Sequence, residues 1–124
     1  MDVTPDIPEG RQIIQAYGGG GFRIADAAYS GSVLVFPERT VAWAVTDFSE
    51  LTAESLEPVT RAAAELDLLL IGCGARMELL SKALHADIRE AGLGIDTMDT
   101  GAACRTFNVL LAEERRVAAA LIAV

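Results

Sequence analysis

The 124-residue sequence predicts an α/β fold in which an antiparallel N-terminal meander leads into a βαβαβ-like half. Three observations point there. Short β-branched and apolar runs, punctuated by glycine and proline, fill the first half. Apolar runs alternate with helical periodicity in the second. Hydrophobic residues at 52% and charged residues at 23% are the balance of a compact globular chain, so one domain is expected over 1–124. Residues 1–11, interrupted by Pro5 and Pro8, read as an extended lead-in.

Ile13–Tyr17 and Phe22–Ile24 read as strands. The run Gly18 to Gly21 between them permits a tight reversal, because glycine accepts positive φ without steric cost. Ser32–Phe36 and Thr40–Thr46 are stronger strands around a hairpin turn at Pro37-Glu38-Arg39. The alternation in the second places Val41, Trp43 and Val45 on one face. Pro58 interrupts the next segment, so a short turn capped by Thr52 is expected before it. A helix follows, with Val59, Ala62, Ala63 and Leu66 inward.

Asp67–Ile71 is apolar enough for a strand covered on both faces. A helix from Glu78 to Ala91 should bury Leu80, Ala83, Leu84 and Ile88, with Gly92 as its stop. Gly94–Met98 is a weaker strand, joined to the previous one by a right-handed crossover that makes the two parallel. Thr100 is read as the cap of a helix to Glu113, in which Ala103, Cys104, Phe107, Leu110 and Leu111 share a face. Val117–Val124 closes the chain as a buried strand whose alanines let helices approach closely.

Charge narrows the partners. Ten basic residues against 18 acidic give a formal −8, and the arginines are scattered from Arg11 to Arg116, so nucleic acid is disfavoured. No apolar run reaches the roughly 18–20 residues that cross a bilayer, so direct membrane insertion is not expected. The first residues lack the basic and apolar segments of a signal peptide. With Cys73 and Cys104 the only cysteines, a reduced, cytoplasmic setting fits.

Several constellations invite chemistry. Gly72-Cys73-Gly74-Ala75-Arg76 lies between a strand and a helix, where backbone amides can converge on an anion, and Asp96 falls on the following strand. Met77 replaces the third glycine of a dinucleotide loop, so a tight strand-to-helix turn is the simpler reading. Gly18 to Gly21 lacks the following Gly-Lys-Ser/Thr of a phosphate loop. A thiol at Cys73 near a helix start would have a lowered pKa, yet the single histidine, His85, lies within a helix and remote from it. Two cysteines and one histidine do not fill a zinc shell. No catalytic residue, metal or cofactor is assigned.

One candidate ligand-binding crevice remains. Loops after Ile71 and Met98 share the carboxyl edge of the parallel strands, which would gather Gly72, Cys73, Gly74, Arg76, Thr100, Cys104, Arg105 and Asn108. The competing reading is structural: Cys104 in the core, Arg105 paired with Asp96 or Asp99, and Asn108 tying down a loop.

The segment Ala102-Ala103-Cys104-Arg105-Thr106-Phe107-Asn108-Val109-Leu110-Leu111-Ala112-Glu113, with Arg115 to Ile122 after it, resembles the domain family containing the mitochondrial complex I assembly factor and an adipogenesis-associated protein. Tyr29-Ser30-Gly31-Ser32, Trp43, Leu69 to Gly74, and Gly94-Ile95 leading to Met98 and Thr100 support it, over most of the chain from Gln12. The resemblance implies a small three-layer α/β fold with a mixed central sheet and no established reaction. It also implies threonine in relatives at Cys73, tyrosine at Phe107 and glycine at Glu114. The chain looks like a bacterial relative, and some such relatives are encoded near protein-export components.

The expected function is therefore a non-enzymatic, assembly-factor-like binding protein assisting biogenesis of a respiratory or other membrane complex, with a membrane-complex or export component as partner. The alternative is a small-molecule or anion-binding protein, or an uncharacterised enzyme, using the crevice with Arg76 and Arg105. A homo-oligomer is a third possibility, suggested by the apolar fraction.

Overall fold

The computed structural model describes residues 10–124, so the expected lead-in lies outside the described residues except for Gly10 and Arg11. Strands β1 (Ile14–Gly18), β2 (Gly21–Ile24) and β3 (Ala27–Ser30) form an antiparallel sheet of their own. Gly19 and Gly20 both have positive φ, as a mirror-image two-residue hairpin requires. The β2–β3 turn uses Ala25 and Asp26 in the same left-handed region, and the Gln15 amide brackets Asp26 with two hydrogen bonds of 2.8 Å. Strand β3 was not expected. Its turn lacks glycine and its residues are mostly exposed, so no local signal announces it.

Strands β4 (Val33–Val35) and β5 (Thr40–Ala42) form a hairpin that joins a second sheet. With β6 (Leu68–Gly72), β7 (Gly94–Met98) and β8 (Val117–Leu121) the order is β5-β4-β8-β6-β7. Strand β6 is parallel to both β7 and β8, whereas β4 is antiparallel to β8, so the central sheet is mixed. Alternate side chains enter two cores. Leu34, Leu69, Ile71, Ala118 and Ala120 face one; Val33, Val35, Leu70, Ala119 and Leu121 face the other. Helices α1 (Glu57–Arg61) and α2 (Lys82–Glu90) cover the first face through Val59, Leu84 and Ile88. Helix α3 (Thr100–Ala112) and the small sheet cover the second through Cys104, Phe107, Ile14, Phe22 and Ile24. These are the three layers.

Local differences have physical causes. Pairing beyond Ala42 stops, although Trp43 N still donates to Ser32 O at 2.9 Å. Trp43 and Val45 are buried with Leu34 as the alternation predicts, while Val41, at the sheet edge, is 37% exposed. The helix after Pro58 is only five residues, flanked by 3-10 turns at Glu54–Leu56 and Ala63–Glu65. Helix α2 begins at Lys82 rather than Glu78, because Ser81 Oγ accepts from Leu84 N at 3.2 Å and caps it there; Ala83 is exposed. The cap of α3 is Asp99, whose carboxylate accepts from Ala102 N at 2.9 Å, and Thr100 is the first helical residue. Helix α3 ends at Ala112 and β8 at Leu121, each short of its expected limit. Glu114, just past the α3 cap, has φ of 61°, which explains why glycine suits that position.

Candidate functional site

Thr100 is the pivot of the carboxyl edge. It is fully buried; its hydroxyl donates to Ile122 O at 2.7 Å and accepts from Gly74 N at 2.9 Å, and its own N–H donates to Gly74 O at 2.9 Å. Three segments are thereby tied together: the loop after β6, the start of α3 and the end of β8. Gly72 permits this approach, since a Cβ there would stand 3.0 Å from Thr100 Cα and from Leu121 Cδ2. Gly74 turns away with φ of 105°. These three expected residues do meet, and their polar groups are engaged within the fold: Thr100 and Gly74 bond each other, and Gly72 O accepts from Ile122 N at 3.0 Å.

Cys73 points to the other face of the sheet, where its Sγ lies 3.7 Å from Ile71 O and 3.8 Å from Glu78 O. Burial pushes this thiol's pKa up, not down. The expected strand-to-helix turn is absent: residues 74–81 are irregular and α2 opens only at Lys82, too far along to stabilise a thiolate at Cys73. Exposed Arg76 sits in this loop beside Cys73 and Gly74.

The α3 residues belong to the opposite layer. Cys104 is core, and burial pushes its thiol up to about 12. Arg105 pairs with neither Asp96 nor Asp99; its guanidinium donates to Tyr17 Oη at 2.8 Å. The Tyr17 ring reaches this place because residue 101 is glycine, where a Cβ would lie 2.6 Å from the phenol oxygen. Asn108 clamps β1: Oδ1 accepts from Ile14 N at 2.9 Å and Nδ2 donates to Ile14 O at 2.8 Å. The eight expected residues are thus divided, with Cys73, Gly74 and Arg76 on one groove and Cys104, Arg105 and Asn108 across the sheet from it.

That groove has a volume of about 520 Å³ and lies at the carboxyl ends of β6 and β8. Its opposite wall, Thr46, Asp47 and Phe48, was not foreseen. The spacing Asp47-Phe48-Ser49-Glu50 is a capping-box signature that could have located it. Glu50 Oε1 accepts from Thr46 N at 2.7 Å and Thr46 Oγ1 at 2.8 Å, and these bonds hold the Glu50 carboxyl below its ordinary range. Bonds from Ser49, side chain before backbone, do the same for Asp47. Both carboxylates are fixed anions that organise a wall, and Arg76 supplies a cation opposite. The groove offers apolar contact at Phe48 and Ile122 and charge of both signs, which suits recognition. Among the described residues no group of His, Cys, Asp and Glu is arranged to hold a metal, and no helix is long and apolar enough to cross a membrane.

A sequence profile described as protein of unknown function (DUF498/DUF598) matches residues 14–122. An uncharacterised protein of Rhodobacter capsulatus is 40% identical over 88% of this chain and 82% of its own length. The Danio rerio protein named NADH dehydrogenase (ubiquinone) 1 alpha subcomplex assembly factor 3 is 34% identical over 89% of this chain, which spans only 63% of that relative. Among solved structures, a crystal structure described as an outer membrane protein from Bartonella henselae superposes with a TM-score of 0.87 at 43% identity, covering 93% of this chain and 97% of that one. A solution structure of a Bordetella pertussis protein described as an Mth938-like domain gives 0.84 at 28% identity, over 98% and 92%.

Proposed function

The chain belongs to the DUF498/DUF598 family of proteins of unknown function, and from that membership we propose that it is a non-enzymatic binding protein of the assembly-factor kind. Its partner is a component of a respiratory or other membrane complex, or of the export machinery that inserts one, engaged from the cytoplasmic side. The observation that carries this reading is the likeness to the zebrafish assembly factor across 89% of this chain. Geometry supports it. The two thiols are buried with raised pKa values and His85 is exposed on α2, so neither cysteine is poised as a thiolate nucleophile; what the carboxyl edge offers is a groove with an ordered acidic wall and Arg76.

In-cell crosslinking followed by mass spectrometry tests the proposal. Recovery of a membrane-complex or export component, with crosslinks mapping to Phe48, Arg76 or their neighbours, is the expected result; recovery of none ends it. The second reading, a small-molecule or anion site in the same groove, is favoured by Arg76, which forms no ion pair among the described residues. Carboxylates or acyl-phosphates that raise the melting temperature of the protein but not of Arg76→Ala would establish that reading instead.

A further inference from the structure

The opposite, amino end of the parallel strands carries a second concavity. Although the chain is formally −8, four of its ten basic residues converge there. Arg11, Arg39 and Arg116 line a hollow of about 470 Å³ whose apolar floor is Pro37 and Ala62, laid over the buried Phe36 and Leu66. Arg39 also borders an adjoining hollow of about 320 Å³ that reaches Arg61.

The arginines are held in different ways. Arg116 makes a two-pronged pair with Asp67, at 2.7 and 3.1 Å, and Arg61 pairs with Glu57. Arg39 lies over the Phe36 ring, 4.1 Å from its centroid, and forms no ion pair among the described residues. Stacking fixes the guanidinium plane while leaving its N–H edge free for a bidentate acceptor. Arg11 likewise forms no ion pair among the described residues. Its backbone is positioned because the next residue, Gln12, donates its N–H to Pro37 O at 3.1 Å and accepts from Thr40 Oγ1 at 2.8 Å.

We propose that this arginine-lined trench binds an acidic peptide segment in which carboxylates flank an apolar side chain. The carboxylates meet Arg11 and Arg39, and the apolar side chain rests on Pro37 and Ala62, the half-buried apolar residues of the floor. Glu38 and Glu65 stand at the rim and, with the overall −8, oppose a continuous polyphosphate such as nucleic acid, whereas separate carboxylates can be placed between them. This surface is distinct from the carboxyl-edge groove and stands whether or not that groove takes a partner.

Fluorescence anisotropy with a labelled glutamate-rich peptide carrying a central phenylalanine tests it. The whole chain binds the probe, and binding weakens as salt is raised from low ionic strength. The double substitution Arg11→Glu with Arg39→Glu lowers affinity by about tenfold or more, while Arg76→Glu at the other end leaves it unchanged. The urea midpoint of each variant confirms that it is folded. A central-serine peptide that binds as tightly as the phenylalanine one overturns the role of the apolar floor. Absence of binding, or binding indifferent to the double substitution, overturns the site. If light scattering shows instead that the protein self-associates and that the double variant does not, the occupant is a second copy and the proposal fails as stated.

Discussion

Truncating Asn108 to alanine separates a structural role from a ligand-binding one. Its amide substitutes for a neighbouring strand, giving and receiving one hydrogen bond each with the backbone of Ile14 at 2.8 and 2.9 Å. Ile14 is 5% exposed, so water reaches its vacated N–H and C=O poorly. Each net hydrogen bond contributes about 1 kcal/mol, and leaving a buried partner unsatisfied adds to the loss, which puts Asn108→Ala at about 2–3 kcal/mol. For a domain of this size that lowers the melting temperature by about 10 °C. Urea unfolding of the wild type and the variant measures the difference, with amide exchange at β1 locating it. Arg105→Ala, which removes a single exposed bond to Tyr17, should cost no more than about 0.5 kcal/mol and serves as the control. A change of less than about 0.5 kcal/mol for Asn108→Ala would refute the clamp and return Asn108 to the pool of residues kept for a ligand.

Three further substitutions probe the framework. Glu114→Gly should stabilise the protein by about 0.5–1 kcal/mol in urea titrations, because a side chain at φ of 61° is strained and glycine is not; a loss of stability would contradict that. Gly72→Ala should cost about 1–3 kcal/mol by the same assay, since the added methyl forces Thr100 backbone or Leu121 aside; a neutral outcome would show that the edge can relax. Cys104 predicts the alkaline limb. Its pKa is about 12 in the folded state against an ordinary 9.0, so below pH 9 both states hold the proton and the thiol adds no pH dependence. Between pH 9 and about 12 the unfolded state alone loses the proton, and stability falls by about 1.4 kcal/mol per pH unit. Cys104→Ala should flatten that limb by one proton, and an unchanged slope would disprove the assignment.

What the sequence makes legible is whatever depends on period and composition. The apolar run at Leu68 to Ile71 becomes a strand with a core on each side, and the Ala103, Cys104, Phe107 and Leu111 stripe becomes the buried face of α3. Period carries less information where capping competes with it. Ser81 starts α2 one turn later than the apolar spacing suggests, and Asp99 takes the cap from Thr100, which is then free to bond Gly74 and Ile122. Strand β3 is set by pairing with β2, not by propensity, and a local reading passes over it. The candidate site is legible only in part for a related reason. Proximity along one sheet edge does not say which face a side chain leaves by, and odd and even positions of β6 lead to different cores. Cys73 and Gly72 are neighbours in sequence and opposite in the fold.

Topology explains why grooves open where they do. From β6 the chain crosses through α2 to β7 at the sheet edge, then returns through α3 past β6 to β8. Crossovers running in opposite directions place α2 and α3 on opposite faces, and on the α2 face a gap opens between the irregular loop after β6, the end of β8 and the Thr46 to Phe48 wall. In nucleotide-binding sheets such a gap is closed by a glycine turn that feeds directly into a helix, whose first amides hold the phosphate. Here the loop after Gly74 runs irregularly to Ser81 before any helix begins, and the amides of Cys73 and Gly74 are engaged by Met98 O and Thr100 Oγ1. The carboxyl edge thus presents a groove bordered by Phe48, Arg76 and Ile122, a surface shaped by side chains and suited to another side-chain surface.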